Sequence, residues 1–221
     1  MDSVNRQDIQ KAGMLKQGSL QELLPQSTID SLDKELKAIV GIGVKEMNQY
    51  KPMSATLTMT LVYQMRSNKE LLAKYKGIPI DLYFAKTGRS NGKKVLALES
   101  VQEQMDLLYN SVPVEKQVTD LQVFLKYKKE MLSMGDSLIA RWMNDDLKGL
   151  VDLYKSSLQF SGDIDYLLAP RNKRWMKQLP AFIEEGGYFI AVGALHLGGE
   201  DGLIELLRKQ GYSVTPLKLK M

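Results

Sequence analysis

Gly186-Gly187-Tyr188-Phe189-Ile190-Ala191-Val192-Gly193-Ala194-Leu195-His196-Leu197-Gly198-Gly199-Glu200-Asp201-Gly202 is the stretch on which the fold reading turns. Tyr188 to Val192 is a short run of apolar, β-branched and aromatic residues, the pattern of a buried strand. The glycines after it permit a tight turn. Leu203, Ile204, Leu206 and Leu207 then put an apolar stripe on a helix, and Gly211 stands where helices close. Tyr212-Ser213-Val214-Thr215-Pro216 reads as a further strand. His196, the only histidine of the chain, falls in the turn after the first of these strands. Open α/β sheets place ligands beyond the carboxyl ends of their strands. The one side chain that titrates near neutral pH therefore lies where sites usually form.

Two further groups of residues extend this reading. Gly193-Ala194-Leu195-His196 is a GxxH motif, and Arg171-Asn172-Lys173-Arg174-Trp175 lies upstream of it. R-N-x-x-W, then V-G-A-L-H-L-x-G-x-D-G-L, then L-R-K-Q-G-Y-x-V resembles the C-terminal half of the TraB / GumN-like family, which is related to the Tiki metalloproteases. The resemblance is close over about the last fifty residues and looser back to about Ser19. Members of that family carry two GxxH motifs, the first on an early strand. With one histidine, this chain lacks that first motif, and Met1-Asp2-Ser3-Val4-Asn5 resembles family sequence resumed just after the second strand. The expectation is one domain over 1–221 lacking its first two strands, with a mainly helical region over 100–185. The fold class expected is α/β: a small mixed sheet of about three strands surrounded by many helices.

Composition narrows the chemistry. The absence of cysteine excludes disulfides, thiol catalysis and zinc–thiolate sites. A net charge of +4 and a pI near 9.0 permit an anionic partner. The bases are mixed with acids along the chain, however, and no groove-reading motif for nucleic acid appears, so none is expected. No stretch approaches the ~20 apolar residues of a membrane span, and no signal peptide pattern is present. Family members are often exported, so the resemblance implies the bacterial periplasm or cell envelope for the parent protein.

Along the chain, Ser19-Leu20-Gln21-Glu22 is a capping box, and Pro25 ends that helix. Ser27-Thr28-Ile29-Asp30 starts a second helix, closed by Gly41 and Gly43. From Pro52 the pattern fits a strand by twos and a helix by fours. Proline at a first helical position favours the helix, as does the resemblance. Asp81 to Arg89 reads as a helix and Val95 to Leu98 as a short strand ending at Glu99. Ser100-Val101-Gln102-Glu103 caps the helix that follows. Val114 to Asp146 is helical with a break near Gly135, and Leu147 to Leu158 continues that pattern. Arg171 to Glu185 is a helix interrupted at Pro180.

Four residues stand out as carriers of chemistry. His196 is either a structural histidine that fixes a turn or a metal ligand, since neutral imidazole suits zinc, manganese or cobalt. The resemblance favours the ligand, because GxxH histidines of Tiki-like enzymes are proposed to hold the catalytic metal. A catalytic site needs about three protein ligands and an open position. The metal expected here is therefore weak, absent, or shared between chains. Glu99, beyond a strand end, is either an exposed acid at a helix N-terminus or a ligand or general base. Arg171 is either a tie between helix and sheet or a bidentate clamp. The resemblance places Arg171 and Asn172 near the site, orienting a catalytic acid or holding a substrate carbonyl. Trp175 reads as core. The acids of Gly198-Gly199-Glu200-Asp201-Gly202 argue against a phosphate cradle.

The function expected is a fragment of a metal-dependent, peptidase-like hydrolase acting on a peptide or protein, inactive by itself. The alternative is a non-catalytic binding or envelope-associated module with a structural histidine. A sheet lacking strands exposes an edge, so a homodimer through that edge is also expected.

Overall fold

Local capping chemistry decides where some of the helices begin. A computed structural model describes residues 6–74, 78–161 and 165–217. Over these, the first half of the chain runs α1 (Arg6–Ala12), α2 (Leu20–Leu23), α3 (Gln26–Val40), α4 (Val44–Met47), α5 (Pro52–Ser67), α6 (Lys69–Lys74), α7 (Ile80–Ser90) and α8 (Val101–Asn110). The second half continues with α9 (Val114–Lys126), α10 (Lys128–Met143), α11 (Leu147–Ser161), α12 (Ala169–Trp175), α13 (Leu179–Glu185) and α14 (Leu203–Lys209). Short 3₁₀ turns fall at Asp165–Leu167 and Ala194–His196. Ser19 Oγ accepts from the Glu22 backbone N–H at the start of α2. At α8 the box is reciprocal: Ser100 Oγ accepts from Glu103 N–H, and the Glu103 carboxylate accepts from Ser100 N–H. α3 ends on Gly41, whose φ of 78° is the left-handed conformation that glycine adopts without a Cβ clash. Gly211, with φ of 90°, does the same after α14.

The chain divides into two compact units, and the division falls within α10. The first unit comprises residues up to Asp136 with 160–162. Its core is helical: Leu32 and Leu36 of α3, Met59 of α5, and Leu121 and Phe124 of α9 are all buried together. Pro52 starts α5 with its fixed φ, and Gly13 O accepts from both Lys51 N–H and Ser54 Oγ. The buried Lys51 ammonium donates to Ala12 O and Asn110 Oδ1, tying the end of α1 to α8. Glu35 joins α3 to two other helices, accepting from Tyr63 of α5 and Lys128 of α10. The second unit comprises residues 137–159 and 163–221. Leu150, Ala169, Trp175, Met176, Leu179 and Leu203 are its buried apolar side chains among the described residues.

The α/β expectation is overturned. No strand exists among the described residues, and the one β-type pairing is an isolated bridge between Met14 and Tyr50. Neither Tyr188 to Val192, Val95 to Leu98, nor Tyr212 to Pro216 enters a ladder. A strand is a relation between two segments, whereas an apolar run is a property of one. These runs are not buried as strands in a sheet core: Phe189 is 72% exposed and Leu96 42%. The dimer expected through a sheet edge loses its basis with the sheet. Met1 to Asn5, expected to resume after a second strand, lies outside the described residues.

Smaller differences are also local. The break in the long helical stretch falls at Tyr127, not at Gly135. Gly135 sits inside α10, where a methyl group would stand 1.9 Å from Gln64 Nε2 of α5. It lies inside the helix beside the amide end of the Gln64 side chain rather than at a helix end. α3 begins at Gln26, one residue before the expected signature, with Pro25 as its N-cap. The interruption expected at Pro180 falls at 176–178, and Pro180 occupies the first turn of α13.

Truncating Leu36 or Phe124 to alanine should lower the unfolding free energy of the first unit by about 2–5 kcal/mol, measured by urea titration of the circular dichroism signal. Acid should act through Glu35. Burial pushes its carboxyl up, but hydrogen bonds from Lys128 and Tyr63 outweigh that and hold it below the ordinary glutamate range. A depressed folded pKa gives stability that is present above the unfolded value and lost as pH falls through the folded one. Wild-type protein should therefore lose more stability than Glu35→Gln between about pH 5 and about pH 3.

Candidate functional site

α12 positions three of the residues in question on one short helix. Pro170 lies in its first turn, where a missing N–H costs nothing. Arg171 and Trp175 are one turn apart, so the guanidinium lies over the indole at 5.0 Å. Asn172 falls between them and points inward, with 1% of its surface exposed.

The Asn172 amide is oriented by its donors. Its Nδ2 donates to the backbone oxygens of His196 at 3.1 Å and Asp201 at 2.8 Å. That leaves Oδ1 facing His196 Nδ1 at 2.7 Å. On the other side of the ring, Arg171 Nη1 lies 3.2 Å from His196 Nε2. A guanidinium has donors only, so Nε2 accepts and the ring proton sits on Nδ1. The Asn172 orientation requires the same tautomer independently. The Arg171 contact holds for a neutral ring alone, because an imidazolium would present an N–H to the guanidinium. Trp175 closes the cluster, its ring 4.5 Å from that of His196. Arg171 also donates to Leu167 O at 3.1 Å. Trp175 Nε1 is buried with no hydrogen-bond partner among the described residues, an arrangement that costs about 1–3 kcal/mol.

The loop carrying His196 folds this way because two positions admit no side chain. His196 N–H donates to Gly193 O at 2.9 Å, which closes the 3₁₀ turn. Ile204 N–H donates to Leu197 O at 3.2 Å, which docks the start of α14 on the loop. A Cβ on Gly202 would lie 2.3 Å from Gly198 O, and one on Gly198 would lie 2.7 Å from Val151 Cγ2. Only glycine permits that approach. The Asp201 carboxylate pairs with Lys173 at 3.0 Å on the exposed side of α12.

Arg171, Asn172 and His196 are thus brought together. Glu99 belongs to the first unit, 8% exposed and just ahead of the Ser100 cap. The sheet that was to set strand ends 98 and 193 side by side does not form. A hollow of about 180 Å³ in the second unit is lined by Tyr154, Asn172, Glu200 and Asp201 among others. Asn172, not His196, is the site residue that lines it. His196 is 6% exposed, so its ring packs against Asn172, Arg171 and Trp175 rather than facing a hollow. Among the described residues no group of three His, Cys, Asp or Glu is placed to hold a metal ion. The motifs did not reveal the Asp201 carbonyl as an Asn172 partner or the tilted contact of Trp175 with His196. The i, i+4 spacing of Arg171 and Trp175 signals only the guanidinium–indole contact.

Comparison with known proteins gives a consistent result. The sequence model of the TraB/PrgY/gumN family matches residues 1–216. The chain is similar to a Metalloprotease TIKI homolog of Nematostella vectensis, 28% identical over 66% of this chain and 37% of that protein. It is similar to Metalloprotease TIKI1 of Homo sapiens, 27% identical over 70% of this chain and 36% of that protein. A Metalloprotease TIKI homolog of Amphimedon queenslandica is 25% identical over 87% of this chain and 41% of that protein. The chain thus matches about two fifths of each relative's length. No solved structure matches it.

Asn172→Ala should destabilise the second unit by about 2 kcal/mol or more, because it strands the ring N–H and the buried carbonyl of His196 and removes the bond to the part-buried Asp201 carbonyl. Lys173→Ala, which removes an exposed pair, should leave the urea midpoint almost unchanged.

Proposed function

Because the chain belongs to the TraB/PrgY/gumN family, we propose that it forms part of a metal-dependent, peptidase-like hydrolase in which His196 Nε2 is one metal ligand. The observation that carries this reading is the fixed tautomer. Metal-bound histidines commonly donate the other ring N–H to a carbonyl or carboxylate, which aims the free electron pair at the ion. Asn172 Oδ1 accepts that proton here. Relatives named as metalloproteases lend the reading further support.

The fit to a metal is partial. One nitrogen has the right tautomer, but the Arg171 guanidinium stands on its electron pair. The described residues complete no ligand set. In this reading the remaining ligands come from outside the described residues, the chain by itself is inactive, and Arg171 withdraws when a metal binds. A bound zinc, manganese or cobalt ion would lower the pKa of a water for attack on a carbonyl. Arg171, once withdrawn, is proposed as a holder of a substrate carbonyl. The substrate class proposed is a peptide or protein, and the location the periplasm or cell envelope.

The second reading, a non-catalytic module with a structural histidine, is favoured by one observation: both ring nitrogens already have protein partners. Calorimetric titration with zinc, manganese and cobalt separates the two. The catalytic reading expects weak binding of one ion per chain, lost in His196→Ala and strengthened severalfold in Arg171→Met, which removes the competing cation. Identical isotherms for the wild type and His196→Ala would sink it. No metal binding by any variant, together with a large stability loss in His196→Ala, is the result the structural reading expects.

A further inference from the structure

α7 is a helix with no buried residue. Its apolar side chains face water: Ile80 is 62% exposed, Leu82 48%, Tyr83 52% and Phe84 41%, with Ile78 just ahead of it at 49%. A helix of 11 residues with no fully buried side chain is marginal in water. Contiguous exposed apolar surface of this kind marks a docking site. At about 100° per residue, Ile80, Tyr83 and Phe84 fall within one arc of about 100°; Arg89 lies opposite the centre of that arc with Leu82 beside it, and Lys86 flanks the arc about 60° beyond Tyr83. The Tyr83 and Phe84 rings meet edge to face at 5.4 Å, so the arc presents a preformed aromatic pair. Exposed backbone carrying Lys93 and Lys94 follows. Residues 78–97 hold four bases, Lys86, Arg89, Lys93 and Lys94, against one acid, Asp81.

We propose that α7 and the segment after it dock on an anionic lipid surface, with Ile80, Tyr83 and Phe84 at the acyl boundary and the four bases among the head groups. An apolar arc bearing aromatics, bases off that arc and a positive surplus are features of a helix that lies in a membrane interface. Anionic head groups supply the complementary charge. An apolar protein groove would cover the arc but leave the basic surplus without a counterpart. The lipid surface accounts for both. No helix among the described residues is long and apolar enough to cross a membrane, so the contact is peripheral.

Co-sedimentation of this chain with phosphatidylcholine vesicles, with and without about 30% phosphatidylglycerol, tests the proposal. The chain should pellet with the anionic vesicles and not with the neutral ones, and high salt should release it. Tyr83→Asp with Phe84→Asp should weaken binding by on the order of tenfold, and so should Lys86→Glu with Arg89→Glu. Both pairs alter exposed positions, and circular dichroism should show helix content unchanged. Absence of pelleting with anionic vesicles, equal pelleting with neutral ones, or wild-type binding by the charge-reversed pair would overturn the proposal. Self-association without vesicles, relieved by the aromatic pair of substitutions, would assign the surface to a second copy of the chain and overturn it equally.

Discussion

One side-chain amide holds the second unit's polar centre together. Asn172 donates to the carbonyls of His196 and Asp201 and accepts from the imidazole of His196. With 1% of its surface exposed, it has no water to fall back on. Buried polar groups are costly when unpaired and stabilising when fully satisfied. The same three bonds therefore fix the loop against α12, the ring against the loop, and the proton on one nitrogen of the ring. The glycines at 198 and 202 allow the backbone to come close enough for those bonds. The order of dependence runs from backbone approach, to the amide, to the imidazole.

The imidazole then faces a competitor. Arg171 is held over Trp175 and against Leu167 O, and it spends one donor on His196 Nε2. A fixed positive charge on that nitrogen opposes a second cation in the same place. The arrangement is at once a tautomer set for coordination and an arginine occupying the coordinating position. Trp175 adds a buried indole N–H without a partner among the described residues. The local polar network is thus satisfied around Asn172 and incomplete around Trp175.

Features that depend on neighbours in sequence were legible, and those that depend on distant segments were not. The Ser19 and Ser100 caps are local hydrogen bonds between residues three apart, and both form. Pro52 at the first position of α5 and Gly211 after α14 act through their own backbone angles, and both behave as read. Tyr188 to Val192 failed as a strand because strand formation needs a partner that a single segment cannot specify. Gly135 failed as a break because a single glycine inside a helix lowers its stability without ending it, and α10 continues through it. In the candidate site, the single histidine and the Arg171-Asn172 pair were visible as residue types. Their convergence follows from two carbonyls, at His196 and Asp201, whose place in space no motif records.

The uniqueness of His196 in the sequence has a spectroscopic corollary. A chain with one imidazole gives one set of ring nitrogen resonances, free of overlap from any sibling. Those two nitrogen shifts distinguish a protonated nitrogen from one bearing a lone pair, so a single spectrum reports directly whether the electron pair at Nε2 is covered or released.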